Sequence, residues 1–322
     1  MKSRTANKAW DNAERDAARQ EFVRAGYRCG RRHQEAPLST EEFKPYIARD
    51  RVLEPYTFDF HIADETGKLW YDGAPDQWMP ERQWCLDHIQ EGFNVLDCGA
   101  HHGMMSILFA KKTGPSGHVI AWEALPSNAS VIEKNVRLNA LSNVTVVPCG
   151  IGAGRARLSC RRNSGNVVVT NSDVKSAPSE PEGTETIEIV SLDEELDAKT
   201  RVDFIKIDVE GSDLEALKGA RRILSQRPII DLELHNFMFG DRIKTLRAIF
   251  DILDAHCYAY EVLPEIFEGV KKIEGGIDLR WLAQYDNPHV FCVPSDRRGG
   301  YRVEPVGIWD RARALIKGVA GK

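Results

Sequence analysis

Asp208 and Glu210 stand two residues apart at the end of the apolar run Phe204-Ile205-Lys206-Ile207, and Asp231, Glu233 and His235 repeat that spacing in the segment Ile229 to His235. A period of two puts the second set on one strand face. Carboxylates and an imidazole gathered in this way can take a proton from a hydroxyl, or they can hold a divalent cation through oxygen and nitrogen ligands. Each has a plainer use as well. Glu210 and Asp213 also suit the dipole of a following helix, and a histidine in an apolar segment is often a satisfied structural residue. Asp208, placed on the strand itself, has no such explanation.

The elements that position these residues are strand-to-helix corners. Residues 202–224 read VDFIKIDVEGSDLEALKGARRIL. The apolar run suits a buried parallel strand, Gly211 permits the turn, Ser212 with Glu215 has the form of a capping box, and Leu214, Leu217, Ile223 and Leu224 recur at helical spacing. In open α/β sheets, ligands bind at the carboxyl ends of such strands. A second corner lies at residues 94–114, NVLDCGAHHGMMSILFAKKTG. There a strand through Val95 and Leu96 meets Asp97, a turn follows over Gly99, Ala100, His101, His102 and Gly103, and a buried helix begins at Met104 and closes at Gly114-Pro115.

This spacing rejects a dinucleotide fold, because His101 stands where a pyrophosphate needs glycine and Asp97 repels phosphate. An acid at this corner suits a cationic ligand end, such as the ammonium and sulfonium of S-adenosylmethionine. The next strand, His118 to Trp122, ends in Glu123, roughly twenty residues past Gly103, where an acid meets ribose hydroxyls. A nucleoside without phosphates is the expected cofactor. Cys149, Gly150 and Ile151 follow the strand at Val144 to Pro148 and are placed by position near the adenine.

On these segments the chain resembles the FkbM family of S-adenosylmethionine-dependent methyltransferases. The motifs are Asp97-Cys-Gly-Ala-His-His-Gly103, Glu123-Ala-Leu-Pro126 and above all Ile205-Lys-Ile-Asp-Val-Glu-Gly211. The segment LDEEL at Leu192, the IIDLELH strand and NPHVFCVP at Asn287 extend the likeness. It implies a class I methyltransferase fold, a seven-stranded, mostly parallel α/β sheet with helices on both faces and an antiparallel last strand. It also implies O-methylation of a hydroxyl on a small sugar, lipid or natural product. Glu81, near the start of a helix expected over Pro80 to Ile89, is implied to approach the methionine end of the cofactor; its other reading is a first-turn acid matching the helix dipole. Two positions depart from the family, His101 where Asn is common and Ala124 where Pro is. The expected cofactor residues are thus Glu81, Asp97, Gly99, Ala100, His101, Gly103, Glu123, Cys149 and Gly150. The expected catalytic residues are Asp208, Glu210, Glu233 and His235. Whether a divalent metal takes part is left open, as are N-methylation and a catalytically inactive cofactor-binding scaffold; the retained acids and His235 speak against the last.

Of 322 residues, 42% are hydrophobic and the net charge is -5, enough for one sizeable core and without the basic footprint of a nucleic-acid binder. The seven cysteines form no C-x-x-C pair and read as reduced thiols. No apolar run has transmembrane length and the opening residues lack a secretory segment, so a cytoplasmic location is expected. Three parts are expected: a helical arm at 1–54, a methyltransferase domain at 55–295 and a tail at 296–322. Within the arm a helix is expected near Asn12 to Ala25. TFDFHIAD and KLWYDG read as a β-hairpin, residues 155–190 as short apolar runs around an exposed polar loop, and Asp241 to Cys257 as an amphipathic helix before strands at Tyr258 to Val262 and His289 to Val293. At 306–320 an apolar stripe beside Arg311, Arg313 and Lys317 permits membrane-surface contact, with packing on the chain's own domain or on a second subunit as the favoured alternative. The sequence leaves the oligomeric state and the identity of the small hydroxylated or glycosylated acceptor open.

Overall fold

The computed structural model describes residues 43–53, 55–72, 80–161, 184–265 and 268–303. In chain order its elements are β1 (Tyr46–Leu53), β2 (Tyr56–Ile62), α1 (Glu65–Tyr71), α2 (Pro80–His88), β3 (Asn94–Cys98), α3 (Met104–Thr113), β4 (His118–Trp122), α4 (Pro126–Leu138), β5 (Val144–Val147), β6 (Gly150–Ile151), β7 (Ala156–Arg161) and β8 (Thr184–Val190). There follow α5 (Leu192–Glu195), β9 (Phe204–Ile207), α6 (Asp213–Lys218), α7 (Arg221–Leu224), β10 (Ile229–Glu233), a 3-10 turn (Asn236–Met238), α8 (Arg242–Asp254), β11 (Tyr258–Leu263), β12 (Lys271–Lys272), β13 (Ile277–Asp278), α9 (Leu279–Leu282), β14 (His289–Pro294) and β15 (Tyr301–Arg302).

The central sheet runs β5-β4-β3-β9-β10-β14-β11, with β12 as a two-residue edge that makes an eighth strand. β5, β4, β3, β9 and β10 are parallel, and β14 enters antiparallel between β10 and β11. This is the strand order and direction that the resemblance implied, mostly parallel with one antiparallel strand that comes last of the seven in the chain. β9 is buried at every position because helices cover both faces, which is why its sequence is an almost unbroken apolar run. One face packs Leu96, Ile205, Ile207, Ile230 and Leu232 against Leu217, Leu224, Leu246 and Phe250. The other packs Val95, Val119, Phe204 and Phe291 against Trp84, Cys85 and Phe109.

Several expectations need correction. Lys68 to Tyr71 of KLWYDG are not a strand: Asp64 caps α1 by accepting the Gly67 N–H at 2.7 Å, and a Cβ on Gly67 would lie 2.7 Å from His102 Nδ1, so these residues fold as a helix onto the His101-His102 corner. The partner of β2 is instead β1, which precedes it. Residues 46–53, assigned to the helical arm, are therefore strand, and the domain takes them in. It also takes in β15, which pairs with β13 beyond residue 295. Residues on either side of 162–183 form β7 and β8, which with β6 make a separate three-stranded sheet.

The expected capping box fails, since Ser212 makes no side-chain cap bond and Glu215 pairs with Lys218. The helix after it is split. Gly219 carbonyl accepts from Ser191 Oγ and Asp193 N, while the Asp193 carboxylate caps α7 through the N–H groups of Arg222 and Ile223. The helix expected near Asn12 to Ala25, most of the polar loop and the 306–320 stripe lie outside the described residues. Among the described residues no helix is long and apolar enough to cross a membrane.

Candidate active site

A cleft opens at the carboxyl ends of β3, β4 and β9, lined among others by Gly99, His101, Trp122, Glu123, Gly150, Asp208, Val209 and Glu210. Gly99 is dictated by the crossing of two strand ends. Its φ is +89° and a Cβ there would fall 1.7 Å from the Asp208 carbonyl oxygen, while Asp208 N–H donates to Cys98 O at 2.9 Å. Close strand contact, not ligand approach, demands the glycine.

Glu123 anchors one side of the cleft. Its carboxylate accepts from His101 N at 2.8 Å, Leu125 N at 2.9 Å and Asn128 Nδ2 at 3.4 Å. A carboxylate has about four acceptor sites, so one remains for a ligand. Burial pushes Glu123 up to about 7 in spite of these donors. His101 takes a left-handed φ of 50°, stacks on His102 with ring centres 4.0 Å apart, and meets Tyr71 Oη at 2.7 Å through Nδ1. Burial and its neighbour His102 hold it well below the usual imidazole range, so it is neutral. Leu125, Ile187 and Ile189 give this side an apolar wall, supplied in part by β8.

The opposite side carries Asp208 and Glu210. Glu210 sits at a φ of 47°, a conformation costing on the order of 1 kcal/mol for a residue with a Cβ. Asp208 Oδ2 accepts from Lys206 Nζ at 2.9 Å, and its Oδ1 lies 3.6 Å from His235 Nε2. Glu210 Oε2 lies 3.4 Å from the same nitrogen. Behind the imidazole, Asp213 is fully buried, accepts from His235 N at 3.1 Å and faces Nδ1 at 3.3 Å. Burial opposes charge on both His235 and Asp208, but the acids hold His235 up at about 10, and Lys206 with His235 hold Asp208 down at about 2. Burial and the neighbouring carboxylates push Glu210 up to about 8 and Glu233 to about 7.

Glu233 and His289 face each other across the β10–β14 pair, their closest charged atoms 3.8 Å apart. His289 Nδ1 meets Asp231 Oδ1 at 2.8 Å. Lys206 reaches Glu81 at 3.5 Å.

The structure thus brings Asp208, Glu210, Glu233 and His235 together, and puts Gly99, His101, Glu123 and Gly150 on the cleft. Other expected cofactor residues do not line it. Asp97 is wholly buried, bonded by Ser106 Oγ at 2.5 Å and paired in register with Lys206. Ala100 packs on Ala121, Ile132 and Val136. Gly103, at a φ of +87°, faces Ile132, whose Cγ2 would be 2.9 Å from an added Cβ. Cys149 packs against the main core. Glu81 belongs to the Lys206 group beside the cleft. The sequence does not single out Lys206 and His289, which the structure sets among these acids, or Trp70, which lines the cleft. The signal for Lys206 was available: a cation inside an apolar strand, two residues before Asp208.

A family model described as "Methyltransferase FkbM domain" matches residues 97–260. The chain belongs to this FkbM methyltransferase family. "Methyltransferase sdnD" of Sordaria araneosa is 30% identical over 154 residues, 39% of this chain and 59% of that protein, so the chain spans less than two thirds of this relative. "Methyltransferase 1" of Beauveria bassiana strain ARSEF 2860 is 24% identical over 183 residues, 51% of this chain and 73% of that protein. Among solved structures, precorrin-6y C5,15-methyltransferase from Geobacter metallireducens GS-15 aligns with a TM-score of 0.39 at 17% identity, covering 66% of this chain and 87% of its own.

Proposed function

We propose that this FkbM-family chain transfers a methyl group from S-adenosylmethionine to a hydroxyl of a small acceptor. The observation that carries this is the lining of the cleft: Glu123, Asp208 and Glu210 face it, and no lysine or arginine does among the described residues. Asp208 supplies standing negative charge and Glu123 and Glu210, raised to about 7 and 8, ionise readily beside a cation, so the wall suits a nucleoside with cationic ends better than one with phosphates. Glu123, with its spare acceptor position, would hold the ribose hydroxyls, and the apolar wall at Leu125, Ile187 and Ile189 would receive the base. When bound, the cofactor supplies an electrophilic methyl on a sulfonium.

The chain's own part is to align the acceptor and remove its proton. Asp208, at about 2, is a weak base and serves as fixed negative charge. Glu210, on the cleft and near 8, matches the proton affinity a base needs at neutral pH. His235, anchored by Asp213, orients these carboxylates. Beside them Phe237 and Met238 are 44% and 39% exposed, a rim that favours an acceptor with an apolar portion.

Calorimetry tests the cofactor half. Wild-type protein is expected to bind S-adenosylmethionine, and Glu123→Ala to weaken it about 10- to 100-fold, as expected for loss of a charged hydrogen-bond partner. Preference for a nicotinamide dinucleotide would overturn the reading. For chemistry, a screen of hydroxylated acceptors with labelled methyl donor is followed by Glu210→Gln and His235→Ala, each expected to lower turnover about 100-fold or more with cofactor affinity within a few-fold.

A further inference from the structure

We propose that Asp208, Glu233 and His235 form a binding site for one divalent cation of the manganese or magnesium kind, which would hold the acceptor oxygen for the methyl transfer proposed above; only that last clause rests on that reading. One ligand atom from each of the three lies within 4.8 Å of the others. Ligands at 2.1 to 2.4 Å from a common ion stand roughly 3 to 4.8 Å apart, so the spacing fits with small side-chain adjustment. The three sit at or just beyond the ends of the adjacent parallel strands β9 and β10, and so their backbones are fixed relative to one another.

Each of the three is also oriented from behind. Asp213 holds His235 through both its N–H and Nδ1, which directs Nε2 toward Asp208 and Glu210. Lys206 occupies Asp208 Oδ2 and leaves Oδ1 facing the imidazole. Asn287 Nδ2 donates to Glu233 Oε1 at 3.4 Å. Outer partners of this kind are what orient metal ligands and set which imidazole nitrogen is free.

A neighbouring group, Glu81, Asp231 and His289, has comparable spacing but spends one of its own carboxylates on its own imidazole. Lys206 Nζ reaches both groups, at 2.9 Å from Asp208 and 3.5 Å from Glu81, whereas His289 Nδ1 is bonded directly to Asp231 at 2.8 Å. At the proposed site, by contrast, His235 Nδ1 is held by Asp213, which is not one of the three, and Nε2 faces the carboxylates of Glu210 and Asp208 at 3.4 and 3.6 Å. Two carboxylates with one imidazole favour manganese or magnesium over the thiolate-seeking metals. Bound there, the ion would polarise the acceptor hydroxyl and leave Glu210 to take its proton.

The test is a manganese titration of the full-length, cofactor-free protein, with free ion followed by electron paramagnetic resonance and folding by circular dichroism. One ion per chain is expected. Asp208→Asn and His235→Ala are expected to weaken binding at least ten-fold, and Asp213→Asn by about 10- to 100-fold through misdirection of the imidazole. Asp208 is 28% exposed, so Asp208→Asn keeps the test decisive if His235→Ala does not fold. No binding by folded wild-type protein at millimolar manganese overturns the proposal, as does unchanged affinity in Asp208→Asn. Loss of binding in Glu81→Gln with Asp208→Asn unaffected assigns the ion to the other group and overturns it equally. Calorimetry with S-adenosylmethionine on the same sample separates the two readings: cofactor binding without metal binding removes the cation alone, and metal binding without cofactor binding removes the methyl transfer and leaves the site.

Discussion

Gly99 and Gly103 share a turn and a positive φ, yet they answer to different neighbours, and substitution separates them. At Gly99 an added Cβ meets a backbone oxygen 1.7 Å away. Backbone cannot yield locally, so Gly99→Ala has to part β3 from β9. The expected loss is more than about 4 kcal/mol of stability, seen as a collapse of the thermal transition or as insoluble protein. At Gly103 the obstacle is the Ile132 methyl at 2.9 Å, which can turn aside. Gly103→Ala should therefore cost only about 1–2 kcal/mol, mostly from the φ of +87°. Because Gly103 does not line the cleft, its alanine variant should bind cofactor within a few-fold of wild type. A large drop in affinity with unchanged stability would mean that the Gly103 backbone does approach the ligand.

Helix α1 shows what an element contributes and why sequence could not place it. Its side chains Trp70 and Tyr71 reach the site, Trp70 on the cleft and Tyr71 bonded to His101. The helix is seven residues long, marginal alone and dependent on its Asp64 cap. Asp64→Ala should lower stability by about 1 kcal/mol and, by releasing Trp70 and Tyr71, weaken S-adenosylmethionine several-fold in calorimetry. Equal affinity would show that α1 only covers the corner. KLWYDG resembled a strand because alternation over so few residues fits either element, and the deciding contact, Gly67 beneath His102, comes from a residue 35 positions on. The same limit hid the side sheet of β6, β7 and β8, whose pairing skips residues 162–183. The strand-to-helix corners were legible because strand, acid, turn and helix follow one another within about ten residues. Asp208, Glu233 and His235 were legible for that reason, and Glu123 as well. The Lys206 and His289 counter-charges were not, since their roles arise only when β9, β10 and β14 are aligned.

At the scale of the whole molecule that alignment lays an ionisable row across the middle of the sheet. Asp97 on β3 is in register with Lys206 on β9, which is in register with Asp231 on β10. All three are buried, so the row is kept by mutual charge and not by solvent. Lys206 stays protonated, because burial opposes its charge but Asp208, Glu81 and Asp231 outweigh that opposition. Asp97 is the member the row serves least: burial lifts it to about 6 although Lys206 and Ser106 pull it down. The sign then follows. A carboxyl with a folded-state affinity for protons above that of the unfolded chain adds stability that is full below pH 3.8 and fades as pH rises through about 6. Asp97→Asn removes this dependence, and it leaves Lys206 with Asp208 at 2.9 Å and Glu81 at 3.5 Å. Thermal unfolding of the two proteins from pH 4 to 7 should therefore show the asparagine variant gaining on wild type as pH rises, by on the order of 3 kcal/mol over the window. The difference should level off above pH 7, once Asp97 is ionised in both states. A difference that stays flat across the range would mean that Lys206 keeps Asp97 charged throughout, and that the row compensates itself from β3 to β10.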